Sequence, residues 1–532
     1  MSGPAPSPEH PNAMKFDVIV VGAGSTGATL AARLSEDPQR QVLLLEAGRD
    51  WRPADAPHAL RSTNIYPFMH EPAHQAAWQW PGLVTRRTHT QQPRFYWRGK
   101  TMGGCSTVNA QIAIRGTPAA FDEWAAMGCT GWSAAEIMPL FDRIEDDPET
   151  AAERGIDTPG PLPLYRAPLA EWGAIDAGLR TAALALGYPW KANLNAPVGE
   201  GVSCYPYNVR DGQRVTTNDA YLEPARDRPN LVIRGGAMVD KVLINDGRAT
   251  GVRLKTADGF EDIGAAEVVL SAGAIHSPAI LMRSGVGPAD VLESLGITVQ
   301  RDLPGVGRNL MDHPLLRATI ALKPEFTATG IDARHTNCCL TYTSGLEEGG
   351  DRDMIMIGFN HRGLGDGAPS PVGAIGLSIY NAMSRGEVRL VSVDPEVNPV
   401  VDENMLADPR DRRRMRDGVR RLADIVAQPA LKGMAESITF EASGLDFQLA
   451  AALPDDELDQ LMLAQCGDIQ HAAGTCRMGP ADEPMAVTDP DLKVHGIAGL
   501  RVADASIMPT DCRANLHFTC VAIGEELARR MR

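Results

Sequence analysis

The chain has 532 residues, with 51 Lys plus Arg against 67 Asp plus Glu and a formal net charge of −16. An acidic surface is repelled by phosphate backbones, so a nucleic-acid role is disfavoured. Hydrophobic residues at 44% and charged residues at 22% are ordinary globular values, no apolar run approaches the ~20 residues of a spanning helix, and the length calls for two or more closely packed domains able to enclose a large cofactor.

The opening MSGPAPSPEHPNAM has no basic cluster and no apolar stretch. Residues 1–13 therefore read as a flexible tail rather than a secretory signal, and the expected location is cytoplasmic. The nine cysteines contain no C-x-x-C pair. Adjacent Cys338 and Cys339 are poorly placed to bridge each other, so reduced thiols packed as small apolar groups are expected.

From Phe16 to Val21 the run FDVIVV is short, apolar and β-branched, as a buried parallel strand requires. It enters GAGSTG, where Gly22 permits a tight turn, Gly24 lets backbone approach a pyrophosphate and Gly27 permits close helix packing. Ser25 and Thr26 lie within that turn, and Ala28 to Leu34 supplies the helix, whose N-terminus faces the phosphate charge. A second strand, QVLLLE, ends at Glu46, 24 positions past Gly22, where a carboxylate can accept hydrogen bonds from a ribose. The pattern predicts a dinucleotide site. By itself it is shared by NAD and FAD proteins.

Between Arg98 and Gly116 the segment RGKTMGGCSTVNAQIAIRG, which includes Met102, is unusually rich in small residues. Gly103, Gly104, Cys105 and Ser106 can lay peptide N–H groups along a flat ring, with Asn109 as a directed polar contact. A plain glycine-rich loop capped by Asn is the other reading. Two further blocks follow, SAGAIHSPAILMRSGVGP from Ser271 to Pro288 and DLPGVGRNLMDHP from Asp302 to Pro314. With these three segments together the chain resembles the glucose-methanol-choline (GMC) oxidoreductases, flavoprotein alcohol oxidases and dehydrogenases, over about Phe16 to Ala528.

That resemblance implies an α/β chain: a Rossmann-like FAD-binding domain interleaved with an α+β substrate domain built on an antiparallel sheet. It implies FAD, with Gly22, Gly24, Ser25, Thr26, Gly27 and Glu46 on the ADP half and Val239 touching the adenine through its backbone. Arg98, Met102, Gly103, Gly104 and Asn109 would lie near the flavin, and Asp504 and Ala505 on the ribityl-pyrophosphate side. Members that bind FAD covalently carry a His where this chain has Val108, so noncovalent attachment is expected.

Near the C-terminus His471 begins HAAGTCRMG, and Asn515 ends GLRVADASIMPTDCRAN 44 positions later. A strand-like segment at Leu500 to Ala503 allows the chain to double back between them. By resemblance His471 is the catalytic base and Asn515 completes the pair beside the flavin, in the version found in choline-oxidising members. Alcohol oxidation removes a proton from oxygen and a hydride from carbon; imidazole suits the proton and FAD the hydride. The substrate expected is a small primary alcohol, aromatic or furan-type like hydroxymethylfurfural, or choline-like, with oxygen or another electron acceptor. A hydroxynitrile lyase-like enzyme with non-redox FAD is the competing reading, and Gln470, just before the base, departs from several members.

The FAD domain is expected to gather 14–160, 201–314 and 465–532, the substrate domain 315–464, and a bridging or cover segment 161–200. Arg410 to Arg421, interrupted by Asp411 and Asp417 and striped by Met415, Val419 and Leu422, predicts an amphipathic surface helix. His276 and His313 read as structural and His495 as solvent-facing. His517 is open between lining a pocket and packing at a helix start. No cluster has metal-ligand spacing, so no metal is expected.

Overall fold

The computed structural model describes residues 16–196, 199–330, 333–346, 349–361 and 370–532. The tail expected at 1–13 lies outside them. The glycine motif follows the C-terminal end of an inner strand of a seven-stranded sheet. Its parallel part runs Leu231–Arg234, Val42–Leu45, Phe16–Val21, Gly259–Leu270 and Leu500–Val502. Met238–Asn245 and Arg248–Thr256 continue it antiparallel beside Gly259–Leu270. In the strand Phe16–Val21 only Asp17 reaches solvent, which is why the sequence shows an unbroken apolar run rather than alternation.

The helix Ser25–Leu34 follows the glycine turn and packs against the last helix, Leu516–Arg530. Thr26 Oγ1 donates to the Cys520 carbonyl at 2.8 Å, and a Cβ on Gly524 would lie 2.8 Å from the Thr26 carbonyl oxygen. Close packing of these two helices carries Asn515, the residue before the last helix, to the same cavity as the glycine turn at the other end of the chain.

The second layer is an eight-stranded sheet. Its central strands, Pro314–Leu322, Val372–Ile379, Met354–Phe359 and Cys338–Tyr342, are antiparallel and nearly all buried. The helices Ala174–Ala185 and Pro409–Val426 share one apolar core with this sheet. The other face, carrying Leu315, Ile357, Phe359 and Ala374, turns toward the glycine motif across a cavity.

Strand pairing joins several of the segments delimited from sequence. Gly201–Cys204 pairs with Cys338–Tyr342, and Gly467–Asp468 pairs with Pro314–Leu322, so both belong to the eight-stranded sheet. Val84–Arg86 and Arg94–Phe95 form a four-stranded sheet with Glu387–Arg389 and Val400–Asp402. Unpaired strand edges are costly, and these short strands satisfy one another across segments distant in sequence.

The helix Pro409–Val426 buries Met415, Val419 and Leu422, and it also buries Asp411 and Arg414 completely. Arg414 pairs with Asp411 at 2.6 Å and Asp353 at 3.2 Å. Asp411 accepts the backbone N–H groups of Met383 at 2.9 Å and Ser384 at 2.6 Å, pinning the chain just past Tyr380. Removing one partner leaves an uncompensated buried charge. Asp411→Ala is therefore expected to lower stability by about 3–5 kcal/mol, read as an earlier urea midpoint at unchanged m; an unchanged midpoint would show the pair to be idle.

Candidate active site

One cavity of about 670 Å³ runs from the first glycine turn to the buried face of the eight-stranded sheet. Its inner end is bordered by Gly22, Gly24, Ser25, Thr26, Glu46, Val239, Asp504 and Ala505, and its middle by Arg98, Gly104, Val108 and Asn109. Gly27, Met102 and Gly103 do not border it and serve the wall from behind. A Cβ on Gly27 would lie 1.9 Å from the Gly22 carbonyl oxygen, Gly103 N–H donates to Ala23 O at 2.9 Å, and Met102 O accepts Thr107 Oγ1 at 2.8 Å.

No side chain caps the helix that starts at Ser25, so its first N–H groups are left for a ligand. The Glu46 carboxylate accepts Ala23 N–H at 2.9 Å and Gly48 N–H at 2.8 Å. Burial nevertheless raises it to about 7, those hydrogen bonds opposing the shift. Asp504, also raised by burial, accepts Gly273 N–H at 2.8 Å and Ser277 Oγ at 2.6 Å. His517 resolves toward the cavity: its Nδ1 lies 2.7 Å from Ser25 Oγ, and burial holds it down at about 4. His276 borders the cavity too, stacked on Trp80 at 3.8 Å. His495 is half-buried, its Nε2 3.2 Å from Gly479 O, rather than solvent-facing.

At the middle of the cavity His471 Nε2 and Asn515 Nδ2 meet at 3.1 Å. The doubling-back expected from the strand at 500–502 occurs, because that strand adds parallel to Gly259–Leu270. Tyr380 OH donates to Asn515 Oδ1 at 3.1 Å, which fixes the amide with its N–H toward the imidazole. On the other side His313 Nδ1 lies 2.8 Å from His471 Nδ1, and His313 Nε2 contacts the Asp511 carboxylate. His313 is fully buried, stacked on Tyr380 at 4.5 Å and edge-on to His471 at 4.9 Å. His313, which reads as structural from sequence, thus contacts His471 directly.

Asp312 organises the backbone here. Its Oδ1 accepts the N–H of His313 and of His471, each at 2.7 Å, and its Oδ2 accepts Tyr96 OH at 2.7 Å. Burial and the neighbouring Asp468 raise its carboxyl to about 6, against Arg98 and the Tyr96 hydroxyl. Arg98 lies 4.0 Å over the Tyr96 ring and donates to the Gln470 carbonyl at 2.9 Å. Gln470 accepts it from a left-handed backbone, φ 66°. The His471 ring is lowered well below the ordinary imidazole value, first by burial and then by His313 and Arg98.

The sequence pattern of the GMC oxidoreductases matches residues 16–315 and 382–524. The chain is a GMC oxidoreductase. It is 33% identical to the 5-(hydroxymethyl)furfural oxidase of Methylovorus sp. (strain MP688), over 96% of this chain and 98% of that one. It is 35% identical to the choline oxidase of Arthrobacter globiformis, over 97% and 94%. Among solved structures, pyridoxine 4-oxidase from Mesorbium loti superposes with a TM-score of 0.85 at 30% identity, covering 97% of this chain and 99% of that one.

The cavity of this GMC oxidoreductase fits FAD. It offers a buried acid at Glu46 of the kind that suits a ribose, an uncapped helix start of the kind that suits a pyrophosphate, and a bare-backbone pinch where a Cβ on Gly104 would lie 2.7 Å from Gly24 Cα. At φ +53° Gly104 also occupies backbone space that L side chains avoid. Gly104→Ala is expected to weaken FAD binding by at least ~10-fold, measured by titrating the apoprotein and following flavin fluorescence. Unchanged affinity would show that the pinch does not shape the cofactor site.

Proposed function

We propose that this enzyme oxidises a primary alcohol to the aldehyde, with His471 taking the hydroxyl proton and Asn515 holding the substrate oxygen beside noncovalent FAD. The observation that carries this reading is the 3.1 Å meeting of His471 Nε2 and Asn515 Nδ2 inside the cavity that also holds the glycine turn. When bound, FAD accepts the hydride from the alcohol carbon. Val108, which borders the cavity where covalent members carry His, has no group to attach a flavin. The names of the relatives support alcohol oxidation with oxygen as acceptor.

The sheet side of the cavity favours a flat, weakly polar alcohol of the aromatic or furan class. Leu315, Ile357, Phe359, Ala374 and Tyr380 border it, and a Cβ on Gly376 would meet Phe359 at 2.7 Å and Leu315 at 2.9 Å, so both side chains pack closely over that glycine. Glu441, a carboxylate that also borders the cavity, is engaged by Arg317 at 3.3 Å and is poorly available to a quaternary ammonium.

Magnitudes define the step. An alcohol lies about nine units above ordinary imidazole, so complete proton transfer costs ~12 kcal/mol. Burial depresses His471 and widens that gap. Proton transfer to Nε2 must therefore accompany hydride departure, with the Asn515 amide N–H donating to the developing charge on oxygen.

His471→Ala is expected to retain FAD while slowing anaerobic flavin reduction by roughly 10²–10⁴, and Asn515→Ala to slow it less. Unchanged reduction in the His471 variant would remove it from the mechanism. The lowered His471 stays neutral to a lower pH than free imidazole does. The rate of flavin reduction should accordingly hold its plateau as pH falls to about 6.5, the ordinary imidazole value, and decline only in more acid solution. A stopped-flow profile with its acid limb above that value would contradict the assignment.

A further inference from the structure

We infer that Asp511, acting through His313, sets the tautomer of His471 and that His313 receives the proton His471 gives up at Nδ1 when Nε2 takes the substrate's. This assignment of positioning residues deepens the alcohol-oxidation reading and rests on it for its catalytic consequence.

The argument begins at the carboxylate, because an ionised carboxylate only accepts hydrogen bonds. Asp511 Oδ1 accepts the N–H of Arg513 at 3.1 Å, and Oδ2 contacts His313 Nε2. His313 therefore carries its proton on Nε2 and presents a lone pair at Nδ1. That lone pair faces His471 Nδ1 at 2.8 Å, so the His471 proton sits on Nδ1. His471 Nε2 is left bare toward the cavity. The far end of the chain agrees independently: Tyr380 OH donates to Asn515 Oδ1, so the Asn515 amide N–H points at Nε2, which must be an acceptor. From Tyr380 to Asp511 every donor meets an acceptor in one direction only.

The chain is held rigidly. Asp511 and His313 are essentially unexposed. The loop that carries Asp511 is pinned by Trp124 Nε1 on Thr510 Oγ1 at 3.1 Å and by Thr117 N–H on Cys512 O at 3.0 Å. Tyr380 covers one face of His313 and His471 covers its edge. The charged and titratable groups facing the imidazole pair are Asp511, Asp312, Arg98 and Tyr380, and Asp511 alone among them contacts a ring nitrogen of His313.

Proton bookkeeping closes without any added reagent. The alcohol O–H bond breaks and an Nε2–H bond forms on His471. The Nδ1–H bond of His471 breaks and an Nδ1–H bond forms on His313, which becomes imidazolium against the Asp511 carboxylate. The hydrogen of the alcohol C–H bond would leave with its electron pair as hydride to FAD, the two-electron acceptor of the proposed reaction, and the carbon would be oxidised to the aldehyde. Positive charge thus ends one residue away from the substrate, beside a negative charge, and His471, whose own protonation is disfavoured by burial, need not hold it.

The test is nitrogen NMR of holoenzyme selectively ¹⁵N-labelled at histidine, with His471→Ala and His313→Gln used to assign the two rings, paired with anaerobic flavin reduction by benzyl alcohol. Wild type should show His471 as the Nδ1–H tautomer and His313 as the Nε2–H tautomer. A His471 protonated on Nε2 overturns the inference whether or not the alcohol is a substrate, so its failure is distinct from failure of the alcohol-oxidation reading. Asp511→Asn can reverse the chain by donating to His313. In the Ser-His-Asp triad the same exchange imposes the wrong tautomer and costs about 10⁴ in rate. Here it is expected to slow flavin reduction ~10²–10³-fold while FAD content and the substrate dissociation constant stay within about threefold. Reduction within about threefold of wild type would overturn the proposal; if the variant does not fold, the wild-type tautomers still decide it.

Discussion

The buried carboxylate of Asp312 is the constraint on which the site depends. It takes the backbone N–H groups of His313 and His471 on one oxygen and the Tyr96 hydroxyl on the other, joining three chain segments far apart in sequence. Taking a charge out of water costs several kcal/mol unless hydrogen bonds satisfy it, so the carboxylate tolerates few arrangements of its neighbours. Because both imidazoles hang from backbone fixed by the same carboxylate, their separation is set before any substrate arrives. The Arg98 guanidinium over Tyr96 then holds the Gln470 carbonyl and with it the turn preceding His471.

Two close approaches position this cluster against the cofactor cavity. The glycine pinch of Gly24 and Gly104 thins the wall to bare backbone. Packing of the first helix of the cofactor layer on the last helix of the chain brings Asn515 and His517 to the same wall. The eight-stranded sheet closes the opposite side with apolar side chains, where the imidazole is desolvated. Desolvation has opposing effects: it keeps His471 neutral and ready to accept a proton, and it penalises the imidazolium that results. In the proposed reaction the Asp511 carboxylate, two hydrogen bonds behind His471, would meet that penalty without placing a negative charge next to the hydride donor.

Much of the cofactor side was legible from sequence because its constraints are local. Strand, glycine turn, helix and terminal acid follow one another within Phe16 to Glu46, and each requirement falls on a particular residue type. Gly27, Met102 and Gly103 were recognised as part of this region, but motif spacing cannot distinguish a residue that faces the cavity from one that supports it from behind. The substrate side was less legible. His313 lay in a recognised block, DHP, yet looked structural because its partner Asp511 is 198 positions away. Tyr380 carried no local signal at all, since it matters only through its stacking and its hydroxyl. Gly201–Cys204 and Gly467–Asp468 carry no local sign of the sheet they join, because a short strand's membership is decided by which edge offers it hydrogen bonds.

The amino-acid sequence by itself determined the family, the dinucleotide-binding turn and the identity of the His471 and Asn515 pair, because these rest on residue types at short, fixed spacings. Only the tertiary structure decided which atoms of that pair face each other, which residues stand behind them and what surface the substrate meets. Those are relations between side chains brought together by sheet pairing and burial across hundreds of residues, and the direction of a hydrogen bond depends on a partner's lone pair that no spacing encodes.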